Sequence, residues 1–414
     1  MSAAPLIVLA AGGTGGHVIP AEALAVVLLA RGYRLALVTD RRGTAYGGVL
    51  GGLEIHRLPV SPIGGGPVQR LRGGVDLLRG YTRARVLLPR IAPQAVIGFG
   101  GYPSLPTVLA AARARIPTAI HEQNAVFGRA NRFLAARVDA IALSFPEIRR
   151  LRPADAKRAV VTGNPVRAAV IALHDQGYVA PRQGEPLRLI VIGGSQGASV
   201  FGSVVPAALA MLEDDARRRI EIAQQCRPED MEAVRAAYRA AGIAADVSTF
   251  YADLPERLAR AHLVICRAGA STLAELTVAG RPAILVPYPH AMDDHQTANA
   301  GALVAAGGGW LMAQSGFTPS TLSARLAGII EDPALLARAA AAAKAAGRPD
   351  AAERLADLVA RLAPAIAAPS PRSSPGTGEE EDIAASNLRP AGEKMAAISP
   401  REDALRGCEV EAAA

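Results

Sequence analysis

Short apolar runs alternate with longer, alanine-rich segments along most of the chain. The short runs have the length of strands that are buried on both faces, and the longer segments have the length of helices. This alternation is typical of parallel sheets covered by helices. The pattern predicts strands in two series, at residues 6–10, 34–39, 95–98, 118–121, 140–143 and 160–163, and at residues 187–192, 220–224, 247–250, 263–266 and 283–286.

The two series of strands predict two similar domains. A polar stretch at 174–186, rich in glycine and proline, separates them and indicates an interdomain connection. In each series the first strand opens into a glycine-rich turn, at residues 12–16 and 193–197. We therefore predict an α/β protein with two Rossmann-like, doubly wound parallel-sheet domains that face each other across a cleft. Their predicted limits are 1–168, completed by a closing helix at about 346–363, and 187–345, followed by a disordered tail at 364–414.

Composition and charge narrow the choice of partners. Half of the 414 residues are hydrophobic, and the formal charge of +8 is concentrated before residue 364, because the tail carries five basic and nine acidic residues. A basic body favours an anionic partner, whether nucleic acid, anionic lipid or a phosphorylated substrate. Cys226, Cys266 and Cys408 have neither a disulfide nor a metal-ligand spacing and indicate a reducing cytoplasm.

The first glycine turn, Gly12-Gly13-Thr14-Gly15-Gly16, is followed by His17 at the start of a predicted helix. Glycines allow an anion to approach the backbone closely, and the helix N-terminus offers unpaired N–H groups. The turn is not a P-loop, since no Gly-Lys-Ser/Thr follows, and its glycine spacing differs from that of a dinucleotide turn. His17 is a candidate general base near neutral pH, and the alternative is that it only braces the turn.

Three loops that follow strands of the second series are expected to meet at the carboxyl edge of one sheet. In the second glycine turn (193–197), Ser195 and Gln196 offer hydrogen-bond donors to a pyrophosphate. In the next loop, Glu275 either accepts hydrogen bonds from a ribose or forms a capping box with Ser271 or Thr272. The loop at 287–300 contains two histidines and two aspartates without a defined ligand spacing, so no metal site is predicted.

These segments together resemble the MurG family of bacterial transferases. The resemblance covers about residues 5–360 and rests on residues 12–17, 98–104, 121–124, 163–167, 193–198, 267–275 and 295–296. Members of that family add N-acetylglucosamine to undecaprenyl-pyrophosphoryl-muramyl-pentapeptide, the step from lipid I to lipid II. The resemblance implies the GT-B architecture, in which two Rossmann-like domains enclose the active site.

The resemblance also implies substrate-binding residues of three kinds. Those for UDP, mainly on the C-terminal domain, are Arg167, Ser195, Gln196, Tyr251, Ala270, Ser271, Thr272 and Glu275. Those for N-acetylglucosamine are Asn124 and Gln296, and those facing the acceptor phosphates are Thr14, Gly15 and Gly16. Among the UDP residues, Glu275 is expected at the ribose and Tyr251 beside the uracil, through its backbone rather than its side chain. Arg167, Ser195 and Gln196 are expected at the diphosphate.

The mechanism implied by the resemblance is an inverting transfer, which needs one general base and no covalent nucleophile. His17 is the predicted base, with Glu122 and His121 as rivals. Arg167, the second glycine turn and a helix dipole are expected to stabilise the leaving diphosphate. No cofactor is expected to be required, and a divalent cation is at most an assistant to the diphosphate.

Residues 60–90 combine six arginines with interleaved apolar side chains and one acid, Asp76. This composition suits either a helix that rests on anionic lipid or a solvated basic helix with an ordinary core face, and the resemblance favours the first. No apolar run reaches the ~20 residues of a spanning helix, so any membrane contact is expected to be peripheral. The resemblance implies that this contact is with the cytoplasmic face of the bacterial inner membrane. Expected partners are UDP-N-acetylglucosamine, lipid I, anionic inner-leaflet lipid, and cell-wall and division proteins, without nucleic acid.

The residues alone leave three alternatives open. Another GT-B transferase would share the cleft and differ in its nucleotide sugar or its acceptor. A nicotinamide-dependent oxidoreductase would use the first glycine turn for its cofactor. A membrane scaffold with a vestigial nucleotide fold would bind lipid and leave UDP-N-acetylglucosamine unconsumed.

Overall fold

The structure, a computed structural model, describes residues 4–12, 15–40, 48–61, 66–182, 184–194 and 197–364. Its strands form two sheets in which all pairs are parallel. The first sheet contains β1 (Leu6–Ala10), β2 (Arg34–Thr39), β3 (Glu54–Arg57), β4 (Ala95–Gly98), β5 (Thr118–Glu122), β6 (Ala140–Leu143) and β7 (Ala159–Val161). The second sheet contains β8 (Leu187–Ile192), β9 (Ile220–Gln225), β10 (Ala245–Ser248), β11 (Leu263–Cys266), β12 (Ala283–Leu285) and β13 (Gly309–Leu311).

The strand order gives the two sheets related topologies. It is β3-β2-β1-β4-β5-β6-β7 in the first sheet and β10-β9-β8-β11-β12-β13 in the second. The direction of winding reverses beside β1 and beside β8, so the carboxyl ends of these two strands border the crevices in which doubly wound folds bind ligands. The predicted fold class, two doubly wound parallel-sheet α/β units, is confirmed.

Helices connect successive strands and cover both faces of each sheet. Those of the first half are α1 (Gly15–Ala30), α2 (Gly48–Gly51), α3 (Pro67–Ile91), α4 (Gly101–Arg113), α5 (Arg129–Leu134), α6 (Pro153–Ala156) and α7 (Ala168–Ile171). Those of the second half are α8 (Ser199–Ala210), α9 (Asp214–Arg218), α10 (Met231–Ala240), α11 (Leu254–Arg260), α12 (Ala270–Val278), α13 (His295–Ala305), α14 (Pro319–Glu331), α15 (Pro333–Ala346) and α16 (Ala351–Leu362).

Each sheet is buried on both faces by apolar side chains. Leu9 of β1 belongs to one apolar layer and Val8 to the other, as the two-residue period of a strand requires. Leu189 and Ile190 of β8 divide in the same way. Burial on both faces explains why the strands are continuous apolar runs rather than alternating ones.

Helix α16 returns the chain to the first sheet. Its Leu355 and Val359 lie in the same apolar layer as Leu9, and the Tyr33 hydroxyl donates a hydrogen bond to the carbonyl of Ala363 over 3.1 Å. We call the first sheet with its helices and α16 the first lobe, and the second sheet with its helices the second lobe. The two segments that pass between the lobes follow β7 and precede α16.

The edge strands β3 and β13 were not predicted. Strand β3 (Glu-Ile-His-Arg) is mostly polar and β13 has three residues, so neither supplies a clear apolar run. Strand β10 begins two residues before the predicted start and ends at Ser248, and Phe250 beyond it is 72 % exposed. Apart from Pro364, the predicted disordered tail lies outside the described residues, and the domain limits stay predictions.

Candidate active site

A polar cavity of about 810 Å³ lies between the carboxyl edges of the two sheets. Its wall includes most of the described residues that were predicted to bind substrate or act as base, namely Gly15, Gly16, His17, Asn124, Ala270, Ser271, Thr272 and Gln296. Thr14, Ser195 and Gln196 lie outside the described residues, and their roles stay predictions. The remaining predicted residues, described below, lie beside the cavity rather than in its wall.

Glycine is required sterically in both turns. A Cβ atom on Gly12 would lie 2.8 Å from Cγ of Pro103, and one on Gly193 would lie 2.6 Å from the backbone nitrogen of Ala198. Gly194 and Gly197 have φ angles of +82° and +68°, which glycine adopts without strain. The second turn therefore brings bare backbone to the cavity, where N–H groups can meet an anion.

The N-termini of α8 and α12 face the cavity without a side-chain cap. The residue before α12 is Gly269, and neither Ser271 nor Thr272 caps the helix. The alternative of a capping box between these residues and Glu275 is therefore wrong. Among the described residues no side chain caps α8 or α12, so their first N–H groups add to the positive potential at this edge.

Glu275 and Arg167, for which separate roles were predicted, form a pair. The guanidinium of Arg167 donates two hydrogen bonds to the Glu275 carboxylate, over 2.7 and 2.9 Å. Glu275 is only 6 % exposed, and neither residue lines the polar cavity. Each carboxylate oxygen keeps a free lone pair, so ribose binding by Glu275 stays a prediction.

Two other arginines, without a predicted role, line the polar cavity instead. Arg267 donates to the carbonyls of Val286 and Pro287 and, over 2.7 Å, to the side chain of Gln314. No carboxylate among the described residues pairs with it. Arg227 stands against Gly197 of the second glycine turn and reaches Glu229 only at 3.8 Å. Positive charge in the cavity thus comes mainly from these two residues.

The side chain of Tyr251 is turned away from the polar cavity. Its hydroxyl donates to the carbonyl of Asp246 over 2.8 Å, and the guanidinium of Arg257 lies 4.1 Å from its ring centre. This packing agrees with the expectation that only the backbone of Tyr251 is available to a ligand. The uracil contact itself stays a prediction.

His17 is held by a buried polar cluster of the first lobe. Its Nδ1 lies 3.2 Å from Oε1 of Gln123, whose Nε2 donates to the carbonyl of Phe99 and to Nδ1 of His121, each over 3.0 Å. Nε2 of His121 lies 3.0 Å from the carbonyl oxygen of Gly163. Burial lowers the pKa of His17 below its usual value, so its imidazole is neutral near pH 7.

His121 and Glu122, the rival bases, are occupied by structural hydrogen bonds. His121 is fully buried, and this burial lowers its pKa to about 4. The Glu122 carboxylate accepts from the backbone nitrogens of Asn124 and Gly128 and from the Asn131 side chain. Burial raises the pKa of Glu122, although these hydrogen bonds oppose the shift. Neither residue lines the polar cavity, although Glu122 lines an adjoining apolar pocket, so the identity of the base stays a prediction, with His17 as the candidate in the wall of the polar cavity.

A second, apolar pocket of about 710 Å³ adjoins the polar cavity. His17, Gln123, Asn124 and His295 line both spaces, so they form the boundary between them. The remaining wall of the apolar pocket consists largely of hydrophobic and aromatic side chains from α3, α4, α5 and the loop before α13, including Leu77, Tyr81, Tyr102, Leu105, Leu109, Phe133 and Met292.

Asn299 and Asp293, to which no role was assigned, make contacts between the lobes. The Asn299 carboxamide accepts from the backbone nitrogen of Ala125 over 2.7 Å and donates to Asn124 over 3.1 Å. Asp293 lies within 3.5 Å of Arg129, 2.9 Å of Arg132 and 2.8 Å of Arg150. Their only sequence signal was a position in or near the polar loops, since these contacts join distant parts of the chain.

The described residues bear on metal binding and on membrane crossing. No group of three or more His, Cys, Asp or Glu side chains is arranged there to bind a metal ion. None of the described helices combines the length and the apolar character that crossing a bilayer demands.

Comparison with known proteins gives matches over most of the chain. Residues 7–143 match the glycosyltransferase family 28 N-terminal domain, and residues 188–355 match the glycosyltransferase family 28 C-terminal domain. Two bacterial proteins are each 60% identical to the chain. The protein of Paramagnetospirillum magneticum covers 87% of this chain and 97% of its own, and that of Rhodospirillum centenum covers 87% and 94%. Both are named UDP-N-acetylglucosamine–N-acetylmuramyl-(pentapeptide) pyrophosphoryl-undecaprenol N-acetylglucosamine transferase.

A solved structure is similar over the same extent. The crystal structure of MurG from Acinetobacter baumannii has 30% sequence identity and a TM-score of 0.68, and the match covers 86% of this chain and 99% of that one. This similarity supports the predicted GT-B arrangement of two Rossmann-like lobes.

Proposed function

The chain belongs to glycosyltransferase family 28 and, within it, to the MurG family, and from this premise we propose its reaction. The enzyme transfers N-acetylglucosamine from UDP-N-acetylglucosamine to lipid I, undecaprenyl-pyrophosphoryl-muramyl-pentapeptide, and so forms lipid II for peptidoglycan. The observation that carries this proposal is the position of His17 on the boundary between a polar, cationic cavity and an apolar pocket. Such a boundary suits a reaction between a charged nucleotide sugar and a lipid-linked sugar.

The polar cavity is the proposed donor site. Bare backbone of the second glycine turn, the open N-termini of α8 and α12, and the guanidinium groups of Arg227 and Arg267 support binding of the UDP diphosphate there. Ser195 and Gln196 are proposed as additional donors to the same phosphates. Asn124 and Gln296, which line the cavity, are proposed to bind the N-acetylglucosamine.

The proposed chemical step is a single displacement with inversion. The O4 hydroxyl of the muramyl sugar attacks the anomeric carbon of N-acetylglucosamine, whose bond to the diphosphate oxygen breaks as UDP leaves with the electron pair. His17 takes the hydroxyl proton on Nε2, because Nδ1 faces Gln123. The site residues provide the charge stabilisation of the leaving group, so the proposal requires no resident cofactor, and a divalent ion from solution is at most an assistant.

Helix α3 is the proposed contact with the membrane. Val68, Leu71 and Leu78 on it are 64–70 % exposed, and its arginines 70, 72, 79 and 83 are exposed beside them. A solvated helix with an ordinary core face would bury these apolar side chains, so their exposure favours adsorption to anionic lipid. Leu77 and Tyr81 of the same helix line the apolar pocket, which suits an acceptor delivered from the inner leaflet. Cell-wall and division proteins are further proposed partners at that surface.

A transfer assay tests the proposed function. Radiolabelled UDP-N-acetylglucosamine and a short-chain lipid I analogue should yield a labelled, organic-extractable disaccharide lipid together with UDP. The matched controls are UDP-glucose as donor and a short-chain polyprenyl phosphate without the muramyl sugar as acceptor, and neither should give product. Label on a different acceptor would indicate another GT-B transferase, and an NADH fluorescence response without any transfer would favour the oxidoreductase alternative.

A further inference from the structure

The hydrogen bonds around His17 form a continuous series that begins at the passage between the lobes. It runs from the carbonyl of Gly163 to His121, then to Gln123, and ends at His17, with successive contacts of 3.0, 3.0 and 3.2 Å. Three of these four groups are buried or nearly so, and none of the series depends on solvent. We call this series the Gly163–His17 relay.

The donors and acceptors of the relay determine where each proton lies. The Phe99 carbonyl can only accept, so it orients the Gln123 amide with Nε2 toward itself and Oε1 toward His17. The second Nε2 proton of Gln123 faces both Nδ1 of His121, at 3.0 Å, and the His121 carbonyl, at 3.2 Å. A ring nitrogen that faces an amide N–H can only accept, so Nδ1 is the unprotonated nitrogen of that ring. His121 accordingly carries its proton on Nε2 and donates it to the Gly163 carbonyl. The low pKa of His121, about 4, keeps this ring neutral.

At the end of the relay, Oε1 of Gln123 accepts the proton of His17 Nδ1. An imidazole protonated on Nδ1 has its lone pair on Nε2, on the other side of the ring. Among the described residues, the hydrogen-bond partners of the His17 ring are the Gln123 side chain, which meets Nδ1, and the Phe99 carbonyl. The imidazole borders both the polar cavity and the apolar pocket, so this lone pair is available at the boundary where the proposed reaction takes place.

Two backbone features fix the ends of the relay. Gly163 has a φ of +86°, and a Cβ on it would lie 2.8 Å from Cβ of Arg348, in the segment that returns to the first lobe. At the other end, Gly100 has a φ of +85°, and a Cβ on it would lie 3.1 Å from Cε1 of His17. The His17 ring therefore lies directly on bare backbone, and the relay begins where both interlobe segments pack together.

We propose that Gln123 and His121 are positioning residues, which hold His17 in the tautomer that presents an unprotonated Nε2 to the acceptor hydroxyl. This inference rests on the proposed function for its consequence in catalysis, but the tautomer itself is a property of the free protein. Both are proposed to act through His17, His121 from outside the two cavities and Gln123 from their boundary. The relay further makes the orientation of the base depend on the packing of the interlobe segments at Gly163.

The first measurement is the tautomer of His17 by nitrogen-15 NMR of the imidazoles, in the full chain without substrate. The wild type should show His17 protonated on Nδ1 and His121 protonated on Nε2, and His17→Gln and His121→Gln variants assign the two signals. In Gln123→Leu the His17 ring loses its side-chain acceptor and keeps only the Phe99 carbonyl beside it, so His17 should change at least in part to the Nε2-protonated form. A wild-type His17 protonated on Nε2, or no change in Gln123→Leu, would overturn the proposal.

The second measurement is the pH dependence of kcat. If Gln123 had a purely structural role, Gln123→Leu and Gln123→Glu would not shift the pH profile in opposite directions. The rate should fall as pH decreases through the pKa of His17, since protonation removes the base. The Gln123 hydrogen bond raises that pKa against the effect of burial, so Gln123→Leu should move the acid limb to lower pH. Gln123→Glu places a carboxylate at Nδ1 and should move it to higher pH. The other titratable groups that face His17 are His121 and His295, and both are retained in these variants.

Variants of Gln123 and His121 with effects of different size distinguish a positioning role from a folding defect. Gln123→Leu should lower kcat about 10- to 100-fold, and His121→Phe, which leaves Gln123 held by Phe99, about 3- to 10-fold. His121→Gln keeps one acceptor and one donor and should restore most of the rate. UDP affinity by calorimetry and the unfolding midpoint should stay close to the wild type. Equal kcat for Gln123→Leu and wild type, or no rescue by Gln relative to Phe at 121, would contradict the proposal.

Failure of the proposed function gives a different result. If the wild type transfers no N-acetylglucosamine to the lipid I analogue, the reaction is wrong while the NMR tautomers still test the relay. If the wild type transfers the sugar and the NMR signals do not depend on Gln123, only the relay is wrong.

Discussion

The carboxyl edges of the two lobes are built on related strand orders but differ in how their polar groups are satisfied. At the first edge, His17, Gln123 and His121 are joined by hydrogen bonds to one another and to backbone carbonyls. At the second edge, α8 and α12 begin without side-chain caps, beside a turn whose glycines expose the backbone. The first edge is thus organised before substrate arrives, whereas the described part of the second edge leaves two helix N-termini uncapped, where an anionic ligand could accept hydrogen bonds.

This difference divides the expected functions of the lobes. Proton transfer needs one nitrogen in a fixed orientation and protonation state, which a closed hydrogen-bond network provides. Diphosphate binding needs several donors that converge on charge, and an open helix terminus supplies them without a titratable group. Substitutions at the first edge should therefore change the rate, and those at the second should change nucleotide affinity.

The largest expected effect is that of His17→Ala at the first edge. It should lower kcat by about 100- to 10,000-fold, since it removes the base, while UDP affinity stays within about twofold of the wild type. Steady-state transfer kinetics and calorimetry measure the two quantities. His56→Ala on the edge strand β3 is the matched control and should leave both unchanged. Wild-type turnover by His17→Ala would remove His17 from the mechanism.

The next largest effect is expected from Glu275→Ala beside the second edge. It leaves the half-buried guanidinium of Arg167 without its carboxylate and should weaken UDP binding by roughly 1–3 kcal/mol, with a smaller change in kcat. Calorimetric titration with UDP measures this loss. Glu221→Ala, which breaks an exposed pair with Arg188, serves as the control. UDP affinity equal to that of the wild type would mean that Glu275 only braces Arg167.

A smaller effect is expected on the outer surface of the first lobe. Leu71→Ser on α3 removes an apolar side chain that is 70 % exposed and should weaken binding to anionic vesicles by about 1 kcal/mol. Vesicle sedimentation measures the partition, and UDP affinity should not change. Val179→Ser, an equally exposed apolar residue outside α3, should have no effect on the partition. If both variants bind vesicles like the wild type, α3 is not the membrane contact.

The smallest effect is expected from Asp293→Asn, which acts on the connection between the two lobes. Asp293 faces Arg129, Arg132 and Arg150 of the first lobe, all partly solvated, so its loss should lower the free energy of unfolding by roughly 0.5–1 kcal/mol. Denaturant titration at low and at high salt measures this change, which should diminish at high salt. Asp214→Asn, in an exposed pair on α9, should change stability less. An unfolding free energy of Asp293→Asn equal to that of the wild type would show that the interlobe ion pairs contribute nothing.

The sequence predicted the central strands well because they are buried on both faces and therefore uninterrupted by polar residues. Strands β1, β2, β4, β6, β8 and β11 begin and end at the predicted residues. The edge strands β3 and β13 escaped prediction because their local composition carries little apolar signal. Their formation depends on pairing with β2 and β12, which is information from the tertiary structure.

The candidate site was predictable where glycine turns and helix starts follow a strand, since the topology brings those loops to one edge. The partners of individual side chains were not. Glu275 meets Arg167 from 108 positions away, and Gln123 meets His17 from 106. The spacing of Ser271 and Glu275 suggested a local cap, yet the long-range ion pair is formed instead, because Arg167 offers two charge-assisted hydrogen bonds.

A crystal structure with UDP-N-acetylglucosamine tests most directly whether the first edge provides the base and the second edge binds the diphosphate. We predict that the diphosphate lies against the second glycine turn and the N-terminus of α12, with Arg227 or Arg267 within hydrogen-bond distance. We also predict that the anomeric carbon faces His17 across the polar cavity. Diphosphate density on the first glycine turn, with the sugar remote from His17, would contradict both predictions.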